Sequence, residues 1–184
     1  MPKMFFNQSL KNFRLSSISQ KINLLNNQSV DFIITKKFDK TFSKTKSINF
    51  IKNILSNKLK ARFIFVSSNF RFGNKREGDV GFLIQNEKKY NYQVVKPKPL
   101  LINRKIVSSS LIRNDLEKGF LERANRLLSR KWSIDGTVQK GRKVGKKIGF
   151  PTCNIDINDY VLAKPGVYAV RVLRKNNLKI LKGI

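Results

Sequence analysis

Apolar residues recur along the chain in two rhythms. Ile18, Ile22 and Leu25 share one helical face, and Ser17 followed by Gln20 has the spacing of a capping box, which predicts a helix opening after Ser17. A second helical stripe, Phe50, Ile51, Ile54 and Leu55, runs through "SINFIKNILSNKL" at residues 47–59. Between and after them stand short apolar, β-branched or aromatic runs that predict strands. These are "VDFIIT" at residues 30–35, "ARFIFVSS" at residues 61–68 and "YQVVKP" at residues 92–97, the last closed by prolines. A further helix is expected over residues 79–86. No glycine precedes Gly73, and Pro2 is the only proline before Pro97, so few breakers interrupt this region.

Alternation of helices with strands that are apolar on both faces predicts an α/β fold with an open parallel sheet. Ligands of such sheets collect beyond the carboxyl ends of the strands. Two loops are expected there, "NFRFGNKREGD" at residues 69–79 and "SSSLIRNDLEKG" at residues 108–119. The texture changes near Lys131. "FLERANRLLSR" is helical, with Leu121, Ala124, Asn125 and Leu128 on one face. From Trp132 the segments are short and strand-like: "WSIDGTV", "FPTCNIDI", "GVYAVRVL" and "LKILKGI", the last two flanking an expected "RKNN" hairpin turn. The expectation is therefore two domains, 1–131 and 132–184. Some fifty residues of open β-structure hardly bury a core, so the second domain is expected to be cut short at its C-terminal end.

Composition narrows the chemistry. Hydrophobic residues make up 40% of the 184 positions, enough for a packed core. The single cysteine, Cys153, excludes an internal disulfide framework and fits a reducing compartment, so a cytoplasmic location is expected. No run approaches a membrane span, and no signal peptide is read at the N-terminus. The chain holds no histidine, which removes triads, imidazole bases and histidine metal sites from these residues. Lys and Arg number 39 against 11 Asp and Glu, a net charge of +28. Such a charge suits a nucleic-acid or phosphate ligand. It is also what AT-rich codon usage produces, since Lys, Asn, Ile and Phe abound throughout. Phosphate affinity is expected only where a motif supports it.

Three stretches qualify. In "SSSLIR", Ser108, Ser109, Ser110 and Arg113 gather where a strand passes into a helix, and the exposed backbone N–H groups of a helix start favour an anion. A plain serine cap followed by a solvated arginine is common, and taken alone the stretch favours that reading. In "NFRFG", Asn69 offers a polar edge, Phe70 and Phe72 offer stacking faces, and Gly73 permits a sharp turn. Two phenylalanines that simply anchor a loop fit as well. "GTVQKGRKVGKKIGFPTCN" combines Gly141, Gly145 and Gly149 with Lys140, Arg142, Lys143, Lys146 and Lys147, then Pro151, Thr152 and Asn154. Glycines admit phosphate close to the backbone. Thr152 and Asn154, two apart on a strand, present hard oxygens to Mg²⁺. A glycine-rich hairpin with Pro151 at its edge is the plainer reading.

The order of Asn-Phe-Arg-Phe-Gly, Gly-Asp, Ser-Ser-Ser-x-Ile-Arg, the glycine series into Phe-Pro-Thr-Cys-Asn, and Gly-Val-Tyr-Ala-Val resembles the bacterial bifunctional riboflavin kinase/FAD synthetases over nearly the whole chain. The resemblance implies a Rossmann-like FMN adenylyltransferase domain lacking its first strand, followed by part of a riboflavin kinase β-barrel. It implies riboflavin, FMN and ATP as substrates, with Mg²⁺. It places Asn69, Phe70, Phe72 and Gly73 beside flavin and adenine. Ser108, Ser109, Ser110 and Arg113 fall on a phosphate motif, with Ser110 in place of a threonine. Gly141, Gly145, Gly149, Pro151, Thr152 and Asn154 fall on the kinase ATP site, Thr152 and Asn154 holding the metal. The family's His-x-Gly-His element and its kinase base, a glutamate later in the barrel, have no counterpart here, so these residues are expected to turn over weakly or not at all. A small basic nucleic-acid-binding protein is the alternative from another class. No specific nucleic-acid partner and no membrane association are expected.

Overall fold

Phe63, Ile64 and Phe65 form a short strand, β1 (Phe63–Phe65), that pairs in parallel with β4 (Gln93–Val95) in the register Phe63 to Gln93, Ile64 to Val94 and Phe65 to Val95. The computed structural model describes residues 2–141, 149, 152–157, 159–174 and 180–183. The chain divides into two compact units, Met1–Leu10 with Ser29–Val107, and Lys11–Gln28 with Ser108–Ile184. Each mixes helix with strand, and the fold class is α/β.

In the first unit, alternation along β1 turns Ile64 toward a core of Ile51, Phe72, Leu83 and Tyr92, while Phe63 and Phe65 face outward. The stripe predicted over residues 47–59 is helical, and Ile51 on it is fully buried. Its turns are wider than expected: Phe50–Lys58 is a π-helix, with the Leu59 amide donating to the Ile54 carbonyl five residues back. Two hairpins follow. β2 (Arg71–Phe72) pairs with β3 (Gly78–Asp79), and β5 (Leu101–Ile102) pairs with β6 (Lys105–Ile106). The second turns on Asn103 and Arg104, both at positive φ (50° and 60°), as a two-residue β-turn of this hand requires. The Asp79 carboxylate caps the expected helix Val80–Gln85, accepting from the Phe82 amide at 2.8 Å.

One expected strand is absent. Residues 30–35 join no ladder among the described residues, and Phe32 and Ile34 stand largely exposed. Apolar, β-branched composition prepares a segment for a sheet, but only a ladder partner makes it a strand. Among the described residues β1–β4 is the single parallel ladder, the other ladders are antiparallel, and an isolated parallel bridge joins Arg14 to Tyr160.

In the second unit the capping box is present. Ser17 Oγ accepts from the Gln20 amide at 3.0 Å, and Gln20 Oε1 accepts from the Ser17 amide at 2.9 Å, opening helix Ile18–Asn26. Its buried residue is Gln20, not the stripe of Ile18, Ile22 and Leu25; Ile18 is 58% exposed. The inward face of that helix meets polar partners, so the polar residue lies inside. Helices Ser109–Glu117 and Leu121–Leu128 pack together across Gly119 (φ 81°), burying Ile112, Leu116, Ala124 and Leu127. The fully buried Asp115 takes both Nε and a terminal nitrogen of Arg123. Beyond them β7 (Val138–Gln139) pairs with β8 (Asn154–Ile155), and β9 (Val170–Leu173) pairs with β10 (Ile180–Gly183), all antiparallel. No closed barrel forms among the described residues. Most of the expected "RKNN" turn lies outside them.

Tyr92 offers a check on the first core. Its hydroxyl donates to the Leu83 carbonyl at 2.7 Å, and burial, with Glu87 and Tyr90 nearby, pushes its pKa from 10.0 up to about 12. The folded state thus holds this proton more tightly than the unfolded chain. Its contribution is complete below pH 10 and is lost as pH rises toward about 12. Denaturant midpoints measured across that range should fall for the natural chain and fall less for Tyr92→Phe.

Candidate functional site

The loop after β1 is held from within the core. Phe72 is buried against Phe50, Phe70 and Phe82, and the rings of Phe70 and Phe72 stack 5.5 Å apart at an interplanar angle of 15°. Phe72 thus helps anchor the loop, and Phe70 is half-buried beside it. Asn69 is exposed, its side-chain oxygen accepting from the Ser67 hydroxyl at 2.8 Å. Gly73 sits at φ 77°, and a Cβ added there would lie 2.8–2.9 Å from the backbone nitrogen, Cα and Cβ of Ser47. The same backbone is gripped elsewhere: the Ser47 amide donates to Glu77 Oε1 at 2.6 Å, and the Asn74 amide donates to the Thr45 carbonyl at 2.8 Å. Arg71 and Asp79 close the hairpin with an ion pair at 3.1 Å.

The serine motif opens a helix. Ser108 Oγ accepts from the Leu111 amide at 3.2 Å, and Ser109 and Ser110 are exposed in the first turn. Arg113 is half-buried. Its Nε donates to the Phe13 carbonyl at 2.7 Å, and its guanidinium lies 3.6 Å from the centre of the Phe13 ring. Burial lowers its pKa from the ordinary arginine value. The cap reading thus accounts for Ser108, whereas Arg113 is packed rather than solvated.

In the third stretch, β8 carries Asn154 opposite Gln139 of β7. Gly141 presses on it: a Cβ at Gly141 would stand 2.3 Å from Asn154 Nδ2. Thr152 and Asn154 are both exposed. Gly149, at φ 84°, has open space around its Cα. Gly145 and Pro151 lie outside the described residues, as do Arg142, Lys143, Lys146 and Lys147. Hard, accessible oxygens at Thr152 and Asn154 suit Mg²⁺. No cluster of three or more His, Cys, Asp or Glu able to hold a metal exists among the described residues.

Sequence reasoning missed a polar hollow of about 330 Å³ in the second unit, lined by Arg14, Ser17, Asp135, Thr137, Asp159 and Tyr160. Its residues come from stretches more than a hundred positions apart and carry no shared motif.

Comparison with known proteins first defines a class. The family model for FAD synthetase matches residues 1–111, and that for riboflavin kinase matches residues 128–184. The chain belongs to the FAD synthetase family and continues into a riboflavin kinase match. Particular relatives share that arrangement. The bifunctional riboflavin kinase/FMN adenylyltransferase of Buchnera aphidicola subsp. Schizaphis graminum is 39% identical over 172 residues, 93% of this chain and 55% of the relative. The enzymes of the same name from Haemophilus influenzae and Escherichia coli K12 are 34% and 33% identical, over 100% and 87% of this chain and 59% and 51% of their own lengths. The chain spans about half the length of the curated relatives it matches. A solved Streptococcus pneumoniae structure, described as a macrolide-efflux protein, superposes with a TM-score of 0.74 at 20% identity, covering 91% of this chain and 54% of that one. That likeness concerns the fold alone. No helix among the described residues is long and apolar enough to cross a membrane.

The geometry at Gly73 makes a sharp prediction. Gly73→Ala adds a Cβ at a glycine-favouring backbone conformation and drives it into Ser47, so it should cost about 2 kcal/mol or more of stability. Chemical denaturation of the two chains measures this directly, and an unchanged midpoint would refute the close approach.

Proposed function

We propose that this chain serves flavin-cofactor synthesis: ATP-dependent phosphorylation of riboflavin to FMN, and adenylylation of FMN to FAD. The observation that carries this reading is the tandem of family matches, FAD synthetase over 1–111 and riboflavin kinase over 128–184, with the phosphate-type motifs inside or at the edge of the matching stretches. On this reading the adenylyltransferase domain spans 1–131 as a Rossmann-like nucleotidyltransferase and the kinase domain spans 132–184 as part of a barrel. The work is cytoplasmic.

In the kinase step the riboflavin 5′-hydroxyl attacks the γ-phosphate of ATP, the bond from that phosphorus to the β–γ bridging oxygen breaks, and FMN forms with release of ADP and the hydroxyl proton. Thr152 and Asn154 are the residues that would hold Mg²⁺, whose charge offsets that of the triphosphate. Gly141, Gly145 and Gly149 let the backbone approach the nucleotide, and the lysines of this stretch raise the local positive potential. Little covalent chemistry is asked of the protein in phosphoryl transfer, so position and charge are its main contributions. In the second step the FMN phosphate attacks the α-phosphate of ATP, and pyrophosphate leaves. The hydroxyls of Ser109 and Ser110, with the backbone amides that open their helix, face that charge. Arg113, with Nε on the Phe13 carbonyl, contributes positive charge beside them.

Binding is the first test, because these residues contain no histidine to stabilise a leaving group. Calorimetric titration should show saturable binding of Mg·ATP, weakened roughly tenfold by Thr152→Ala, about the worth of one charge-assisted contact. A steep loss of affinity with added salt and no preference for ATP over other polyanions would replace this reading with a nucleic-acid binder. Incubation with riboflavin, ATP and Mg²⁺, followed by separation of the flavins, should yield little FMN or FAD. Robust FAD would show that the chain needs no such histidine.

A further inference from the structure

Residues 11–28 fall inside the FAD synthetase match, yet they pack in the same unit as the stretch matched by riboflavin kinase. The junction is built of specific bonds. The Arg14 amide donates to the Asp159 carbonyl at 2.8 Å, and the Val161 amide donates to the Arg14 carbonyl at 2.9 Å. The Trp132 indole donates to the Leu15 carbonyl at 2.9 Å. At the centre is Gln20, 8% exposed. Its Nε2 has the carbonyl and hydroxyl oxygens of Ser133 and Asp135 Oδ1 each at 3.1 Å, three acceptors sharing two amide protons. Its Oε1 accepts from the Ser17 amide and from the Tyr160 hydroxyl, each at 2.9 Å. The Tyr160 oxygen in turn accepts from the Asp135 amide at 3.1 Å, and Tyr160 is 4% exposed.

From Asp135 the path to Asn154 is short. Gly136 lies so close to β8 that a Cβ there would stand 2.2 Å from a methyl carbon of Ile155. Val138 and Gln139 then pair with Ile155 and Asn154. The ladder is only two residues long on each strand, too little to fix its own place. A buried glutamine with every atom engaged does fix a place, because any shift leaves donors or acceptors unpaired.

We propose that Gln20 is a positioning residue: through Tyr160 and Asp135 it anchors β7, and through β7 it holds β8, the strand that bears Asn154. A segment matched by the adenylyltransferase family thereby sets the geometry of the segment matched by the kinase family. The functional consequence, though not the clasp itself, rests on reading Asn154 as part of the Mg·ATP site.

Hydrogen–deuterium exchange on the full chain tests the clasp. Gln20→Leu and Tyr160→Phe should each raise amide exchange in β7–β8 roughly tenfold or more. The double variant should go little further, since both changes break the same node. Exchange in β1–β4 should stay as it is. Gln20→Glu keeps the shape and the bonds that Oε1 accepts but loses the amide protons that reach Ser133 and Asp135, so it should also raise exchange in β7–β8; unchanged exchange in that variant would mean that the donated bonds do not hold β7, and would overturn the route through Asp135. So would unchanged β7–β8 exchange in both single variants. If Gln20→Leu also exposes helices Ser109–Glu117 and Leu121–Leu128 of the same unit, that unit has unfolded, and Tyr160→Phe, which removes one oxygen, decides. Calorimetry with Mg·ATP is read separately. Failure of the natural chain to bind it counts against the flavin-synthesis reading alone, while weaker binding by Tyr160→Phe than by the natural chain ties the clasp to the site.

Discussion

A buried polar group, backbone or side chain, stays inside a protein only where it finds hydrogen-bonding partners, and three junctions of this molecule are organised by that demand. Gln20, Ser47 and Asp115 are the buried polar residues among those described. The backbone of Ser47 takes the Glu77 carboxylate and fixes the loop that contains Gly73. Asp115 takes Arg123 across the turn at Gly119 and locks two helices. Gln20 ties a helix to Ser133, Asp135 and Tyr160. Apolar burial supplies cohesion in each unit but little direction. These satisfied polar contacts specify which segments meet.

That division bears on chemistry. Phosphate-handling sites need donors held at fixed places before the ligand arrives, because preorganised dipoles cost no rearrangement during reaction. The serine helix start and the strand bearing Asn154 are both surface features, and neither carries a core of its own. Each borrows its position from a neighbour, the first from the paired helices, the second from the Gln20 node. The excess of basic residues plays a different part. Spread over the whole chain, it raises the general attraction for anions without choosing a place for them. Place is chosen where glycine lets the backbone come close.

Legibility in the sequence followed the range of the interactions concerned. The capping box and the helices over residues 80–85, 109–117 and 121–128 depend on neighbours within a few positions, and the patterns there read correctly; the strands at Phe63–Phe65 and Gln93–Val95 also read correctly, because each found the other as a ladder partner thirty positions away. Residues 30–35 read as a strand and are not one, since pairing is a relation between segments. The hairpin at Asn103 and Arg104 escaped notice because those residues do not advertise positive φ as glycine does. Phe70 and Phe72 left two roles open, and the ring contacts of Phe72 with Phe50 and Phe82, with Phe70 stacked on it, show what anchors the loop.

By itself the sequence determined the kind of protein: the mixed α/β class, the exclusion of histidine and disulfide chemistry, and the family, because motif order and spacing survive without any knowledge of what touches what. Tertiary structure decided which residues are free to meet a ligand. It buried Gln20 where an amphipathic reading put Ile18 and Ile22, packed Arg113 onto Phe13, and pressed Gly141 against Asn154. The reason is physical. Local pattern encodes a residue's preference, whereas its availability depends on partners a hundred positions away, which no window along the chain can contain.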